Sequence, residues 1–146
     1  MMRLGFYLTG SEPVERVLPL IARAAKGQDQ KMLVVAADDG LIERLDRALW
    51  EFAPEAFLAH GRADQPHADR QPVLLSKACE AANGANLLAL ADGTWREEAE
   101  TFERVLLFFD EAGRTAARET WRLFDAREDV QREFFELENG KWVKRA

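Results

Sequence analysis

Four aspartates stand where apolar runs end: Asp38 and Asp39 after KMLVVAA, Asp92 after ANLLALA, and Asp110 at the close of RVLLFFD. Each run reads as a strand covered on both faces, and the carboxyl edge of an open α/β sheet is where active sites form. Carboxylates gathered there would hold Mg²⁺ for phosphoryl transfer or phosphoester hydrolysis. The competing account is that each Asp caps a helix or opens a turn. No neighbouring lysine or Ser/Thr completes a phosphoryl site, so capping is the favoured reading and a Mg²⁺-dependent α/β enzyme the alternative. His60 and His67 lie seven apart with no Cys or acidic partner at ligand spacing, so no metal site is expected. Cys79, in KACEAAN, has no evident base and reads as an ordinary thiol. The first strand–helix junction, LTGSEPVE, holds one glycine, no G-x-G-x-x-G and no Walker lysine, which disfavours dinucleotide and ATP binding. No cofactor is expected, and no catalytic triad is legible.

A different chemistry is written at 114–124, RTAARETWRLF. At 3.6 residues per turn, Arg114, Arg118, Trp121, Arg122 and Asp125 share one helix face. The opposite face carries Ala116, Ala117, Thr120, Leu123 and Phe124, which supplies a core stripe without Trp121. The indole is therefore either covered by another part of the chain or kept for a partner. Three arginines face Glu119 and Asp125 here, a locally basic patch on a molecule of net charge −6. Arginine binds carboxylates in a bidentate way, and an indole walls an apolar pocket, so the ligand that fits is acidic with an aromatic or aliphatic anchor. A peptide C-terminus satisfies both demands. A phosphate with a stacked base is the competing ligand, and the overall acidity argues against it. A second aromatic group, Trp50, Phe52 and Phe57 within RLDRALWEFAPEAFLAH at 44–60, reads equally well as core or as a protein interface.

The elements that must position these residues follow from periodicity. A strand is expected at 3–9, then a helix capped by Ser11 with Pro13 in its first turn, running to about residue 26 and interrupted by Pro19. A strand at 31–37 and a helix at 39–50 follow. Further strands are expected at 55–60, 72–76, 85–91 and 104–110, with an exposed loop at 61–71 and a short helix at 94–103. The Trp121 helix is expected over 112–129. REFFEL and WVKR flank Asn139-Gly140, the preferred type I′ turn, and predict a β-hairpin over 132–145. Strand–helix alternation over 146 residues gives one domain, 1–146, of three-layer α/β/α Rossmann-like architecture with a mostly parallel sheet. A single cysteine, no signal-peptide pattern at MMRLGFYL and no run of about 20 apolar residues predict a cytoplasmic protein without membrane attachment.

The segments FYL at 6–8, LVVAADD at 33–39, RLDRALWEFAPEAFLAH at 44–60 and AARETWRLF at 116–124 together resemble the chi subunit family of bacterial DNA polymerase III. The Leu-Asp-x-x-Leu-Trp…Phe-x-x-His pattern is the most specific of them, while 61–103 matches poorly. The resemblance implies a non-catalytic accessory subunit of the clamp-loader complex, which binds the acidic C-terminal tail of single-stranded DNA-binding protein during DNA replication. It implies tail binding at Arg114, Arg118, Trp121 and Arg122. It also implies a second interface, to the psi subunit or another clamp-loader component, at Trp50, Phe57 and His60; direct contact to nucleic acid is not expected of a chain this acidic. The apparent hairpin after the Trp121 helix departs from the family's pattern.

Overall fold

A computed structural model describes residues 1–52 and 58–146. Among these residues, eight strands form one sheet: β1 (Met2–Leu8), β2 (Met32–Val35), β3 (His60–Arg62), β4 (Val73–Ser76), β5 (Leu87–Leu90), β6 (Arg104–Phe109), β7 (Val130–Glu138) and β8 (Lys141–Lys144). Their order is β3-β4-β2-β5-β6-β1-β7-β8. Every neighbouring pair is parallel except β7 and β8, the antiparallel hairpin. Asn139 and Gly140 at its turn both have positive φ, 50° and 77°, as a type I′ turn demands. Strand–helix alternation with a largely parallel sheet is thus the architecture, as the sequence predicts.

The sheet divides the core into two layers. Tyr7, Val34, Ala89, Leu106 and Phe108 pack on one face under α1 (Val14–Gly27) and α2 (Asp39–Glu51). Leu4, Phe6, Leu8, Leu33, Leu88, Leu107 and Phe109 pack on the other, under α3 (Arg114–Arg122) and the segments around it. Alternate side chains of each strand serve alternate layers, which is why the buried strands read as unbroken apolar runs.

Several expected boundaries are corrected. Ser11 does not cap α1; the chain turns at Gly10, Pro13 holds the extended cap position, and no side chain caps the helix. Pro19 lies inside α1 without ending it and is buried against the core. The helix expected at 94–103 is a 3₁₀ helix at Glu97–Thr101, because buried Ala99 and Phe102 sit three apart, the 3₁₀ repeat. The strand expected at 55–60 is observed as β3 from His60 to Arg62, taking two residues of the expected loop; residues 55–57 lie outside the described residues.

The helix expected over 112–129 is shorter. Glu111–Gly113 is 3₁₀ and α3 ends at Arg122. Beyond it the amides of Phe124, Asp125 and Arg127 bond three residues back, to Trp121, Arg122 and Phe124. Phe124, in this segment, is buried as the sequence predicts, and Trp95 meets it edge-on at 5.2 Å. The buried stripe of the helix is Ala117, Thr120 and Phe124, with half-buried Trp121 at its margin, while Ala116 and Leu123, expected in the core, are exposed.

Candidate functional site

The connection from β6 to β7 carries α3 across β1, so α3 lies over the side chains that β1, β6 and β7 present to that layer. Phe6, Phe109 and Phe134 are those side chains, and Phe6 and Phe134 are direct partners in the β1–β7 register. Gly113 lets the helix begin this close to β6: a Cβ there would stand 3.2 Å from the Cβ of Phe109. The result is an apolar pocket of about 150 Å³ lined by the three phenylalanines with Ala117, Trp121, Arg114 and Arg118. A cavity of that size takes one aromatic ring or a branched aliphatic side chain.

Trp121 is half-buried: other parts of the chain cover some of it and leave the rest exposed. Phe6 covers one side, with ring centroids 5.1 Å apart, and the guanidinium of Arg132 on β7 lies 4.7 Å from the indole centroid. Its remaining surface walls the pocket. Arg132 also donates to the Trp121 carbonyl and, at 2.8 Å, to Asp125.

The arginines of the face are not equivalent. Arg114 is engaged with Glu111 through two contacts, 2.6 and 3.3 Å, and its guanidinium holds the Glu111 carboxyl below the usual carboxylate range. Arg118, exposed at the pocket rim, makes no ion pair among the described residues. Arg122 is exposed one turn further on and does not line the pocket. Sequence reasoning located Arg114, Arg118 and Trp121 but missed the phenylalanine floor and Arg132, which come from distant strands.

The strand-end aspartates serve the backbone. Asp38 caps α2 by accepting from the amide of Leu41 at 2.9 Å, and Asp39 pairs with Lys77 at 3.2 Å. Asp92 accepts from the amides of Ala37 and Thr94 and from both terminal nitrogens of Arg96, at 2.9 to 3.1 Å, which ties the end of β5 to the end of β2. Burial pushes its pKa upward, and these donors outweigh burial and hold it below the ordinary value. Asp110 caps the turn into α3 through the amide of Gly113. A crevice of about 360 Å³ at this edge is bordered by Glu12, Glu15, Arg44, Asp92 and Asp110, and Glu15 pairs there with Arg44. Among the described residues no three His, Cys, Asp or Glu side chains gather as metal ligands would. Burial raises the Cys79 thiol above its ordinary pKa, which keeps it protonated at neutral pH.

On the α1/α2 side, Trp50 is 54% exposed on α2 and meets the His60 ring at a tilt of 58°, with centroids 4.7 Å apart. The His60 ring is fully buried, its Nδ1 2.8 Å from the Leu58 carbonyl and its Nε2 2.9 Å from Asp46. Trp50 and His60 are therefore brought together, while Phe57 lies outside the described residues. No helix among the described residues is long and apolar enough to cross a membrane.

The pocket thus offers apolar contact and guanidinium charge. A solved structure similar in fold is the C-terminal domain of S. cerevisiae Dbp5 bound to Gle1 and IP6, with a TM-score of 0.53 and 7% identity over 92% of this chain and 90% of that one. At that identity the likeness concerns the fold alone. A Rickettsia prowazekii (strain Madrid E) protein described as "Probable DNA polymerase III subunit chi" is 20% identical over 117 residues, 75% of this chain and 71% of its own length. Residues 1–130, all but the terminal hairpin, match the family described as DNA polymerase III chi subunit, HolC, and the chain belongs to that family.

Proposed function

We propose that this chi-family protein is an adaptor that binds the acidic C-terminal tail of single-stranded DNA-binding protein and links it to the polymerase clamp loader. The observation that carries the reading is the 150 Å³ apolar pocket walled by Trp121, with the guanidinium of Arg118, which makes no ion pair among the described residues, at its rim. An aromatic side chain next to a free terminal carboxylate satisfies both features at once. Arg114 and Arg122 extend the positive face toward the acidic residues that precede such a terminus. Family membership supports an accessory role in replication.

The second partner, the psi subunit or another clamp-loader component, is assigned to Trp50, His60 and Phe57. An exposed tryptophan on a buried, hydrogen-bonded histidine is a rigid apolar anchor of the kind that dominates protein interfaces.

The test is calorimetric titration of an acidic peptide ending in Phe with a free carboxylate, against the same peptide amidated. A short peptide buries little area, so a dissociation constant near micromolar, about −8 kcal/mol, is expected, with the amide binding far more weakly. Equal binding of acid and amide, or none of either, would overturn the assignment.

A further inference from the structure

Arg132 is not on the helix that supplies the other cations, and it lies beyond the residues that match the family. Its guanidinium is nevertheless the group in contact with the face of Trp121. It donates to two acceptors at the end of α3, the Trp121 carbonyl and the Asp125 carboxylate. Phe134, two residues along on the same side of β7, lines the pocket floor. β7 is held in place by its parallel ladder to β1 and its hairpin partner β8. We infer that Arg132 is a positioning residue: from the terminal hairpin it holds the indole of Trp121, which also packs on Phe6, and thereby sets the pocket's preference for an aromatic ligand side chain.

The physics is specific to a planar cation. A guanidinium stacks on an indole and donates in the same plane, whereas a lysine ammonium carries the charge without the plane. A half-exposed tryptophan without this contact samples other rotamers, and an apolar side chain then meets a wall that moves. An acidic peptide with no anchor side chain meets only the arginines and does not register the difference. Selectivity between the two peptides therefore reports on positioning, which a change in net charge does not alter.

This inference rests on the peptide-binding reading, and its test separates the two. Arg132→Met keeps the aliphatic stem, and Arg132→Lys keeps the charge. Each is titrated with two acidic peptides, one ending in Phe and one in Ala. The Trp121 indole N–H resonance, identified with Trp121→Phe, is followed by NMR in the free protein. Arg132→Met is expected to weaken the Phe-ended peptide about 2- to 30-fold more than the Ala-ended peptide, and to move or broaden the indole signal. Arg132→Lys is expected not to restore the preference for Phe. A wild-type preference in Arg132→Lys, an equal loss on both peptides in Arg132→Met, or an unmoved indole signal overturns the inference. If wild-type protein binds neither peptide, the binding-site assignment fails by itself. The indole signal still decides whether Arg132 fixes Trp121.

Discussion

Arg118→Ala isolates the charge term of the tail-binding reading. Arg118 is exposed and has no ion-pair partner among the described residues, so its removal breaks no bond within the fold. The stability change should stay within about 0.5 kcal/mol. Binding is another matter. A hydrogen bond from a guanidinium to a carboxylate contributes about 1.5–3 kcal/mol, so affinity should fall about 10- to 150-fold. A micromolar complex would move to roughly 10–150 μM. Arg114→Ala is the internal control. Glu111 already occupies that guanidinium, and a ligand carboxylate must compete with it. The loss at Arg114 should be the smaller of the two. Calorimetry at low and moderate salt measures both variants, and the wild-type salt dependence should be partly lost in Arg118→Ala. Unchanged affinity in Arg118→Ala at low salt, or a larger loss in Arg114→Ala, would refute the reasoning.

Three further outcomes are expected. The donors around Asp92 depress its folded-state pKa below the unfolded value, so its contribution to stability is present above the ordinary carboxylate range, about 3.9, and is lost as pH falls through the lower folded value. Denaturant unfolding should therefore show Asp92→Asn clearly less stable than wild type at neutral pH, with the gap closing below about pH 4; a pH-independent gap would contradict this. Gly140→Ala meets no atom within 4 Å of the added Cβ but keeps φ at 77°, so thermal melts should show a loss of about 1–2 kcal/mol from backbone strain alone. Trp50→Ala removes an anchor on α2, on the far side of the sheet from α3, and calorimetry should find tail-peptide affinity unchanged.

How much of this was legible depends on the range of the signal. The hairpin was readable because Asn139-Gly140 is a local instruction, and α2 because Asp38 and the Leu41, Ile42, Leu45, Leu49 spacing are local too. The length of α3 was not, since nothing in the spacing of 114–129 marks the switch to three-residue bonding after Arg122, and Trp95, which packs on Phe124 there, comes from a distant segment. The basic face and Trp121 were visible on one helix. The floor of the pocket was hidden for a reason peculiar to parallel sheets. In RLGFYLT and RVLLFFD both faces are buried, so the alternation that would tell Phe6 from Tyr7, or Phe109 from Phe108, is absent. Strand order is equally silent in sequence, and only the β1–β7 pairing sets Arg132 and Phe134 beneath α3.

The position of β8 at the end of the sheet has a consequence for how copies of this protein meet. A terminal strand offers an unsatisfied ladder, and two such strands on neighbouring molecules are templates for each other. Antiparallel pairing of two β8 strands about the Trp142–Val143 bond would set Lys141 of one molecule opposite Lys144 of the other, twice over. Lys144 is partly neutralised by Glu133 at 3.2 Å, but Lys141 is exposed, and like charges directly opposed across strands are destabilising. The lysines that bracket Trp142 and Val143 thus guard the growing edge, letting the chain carry a broad open sheet while discouraging polymerisation along it.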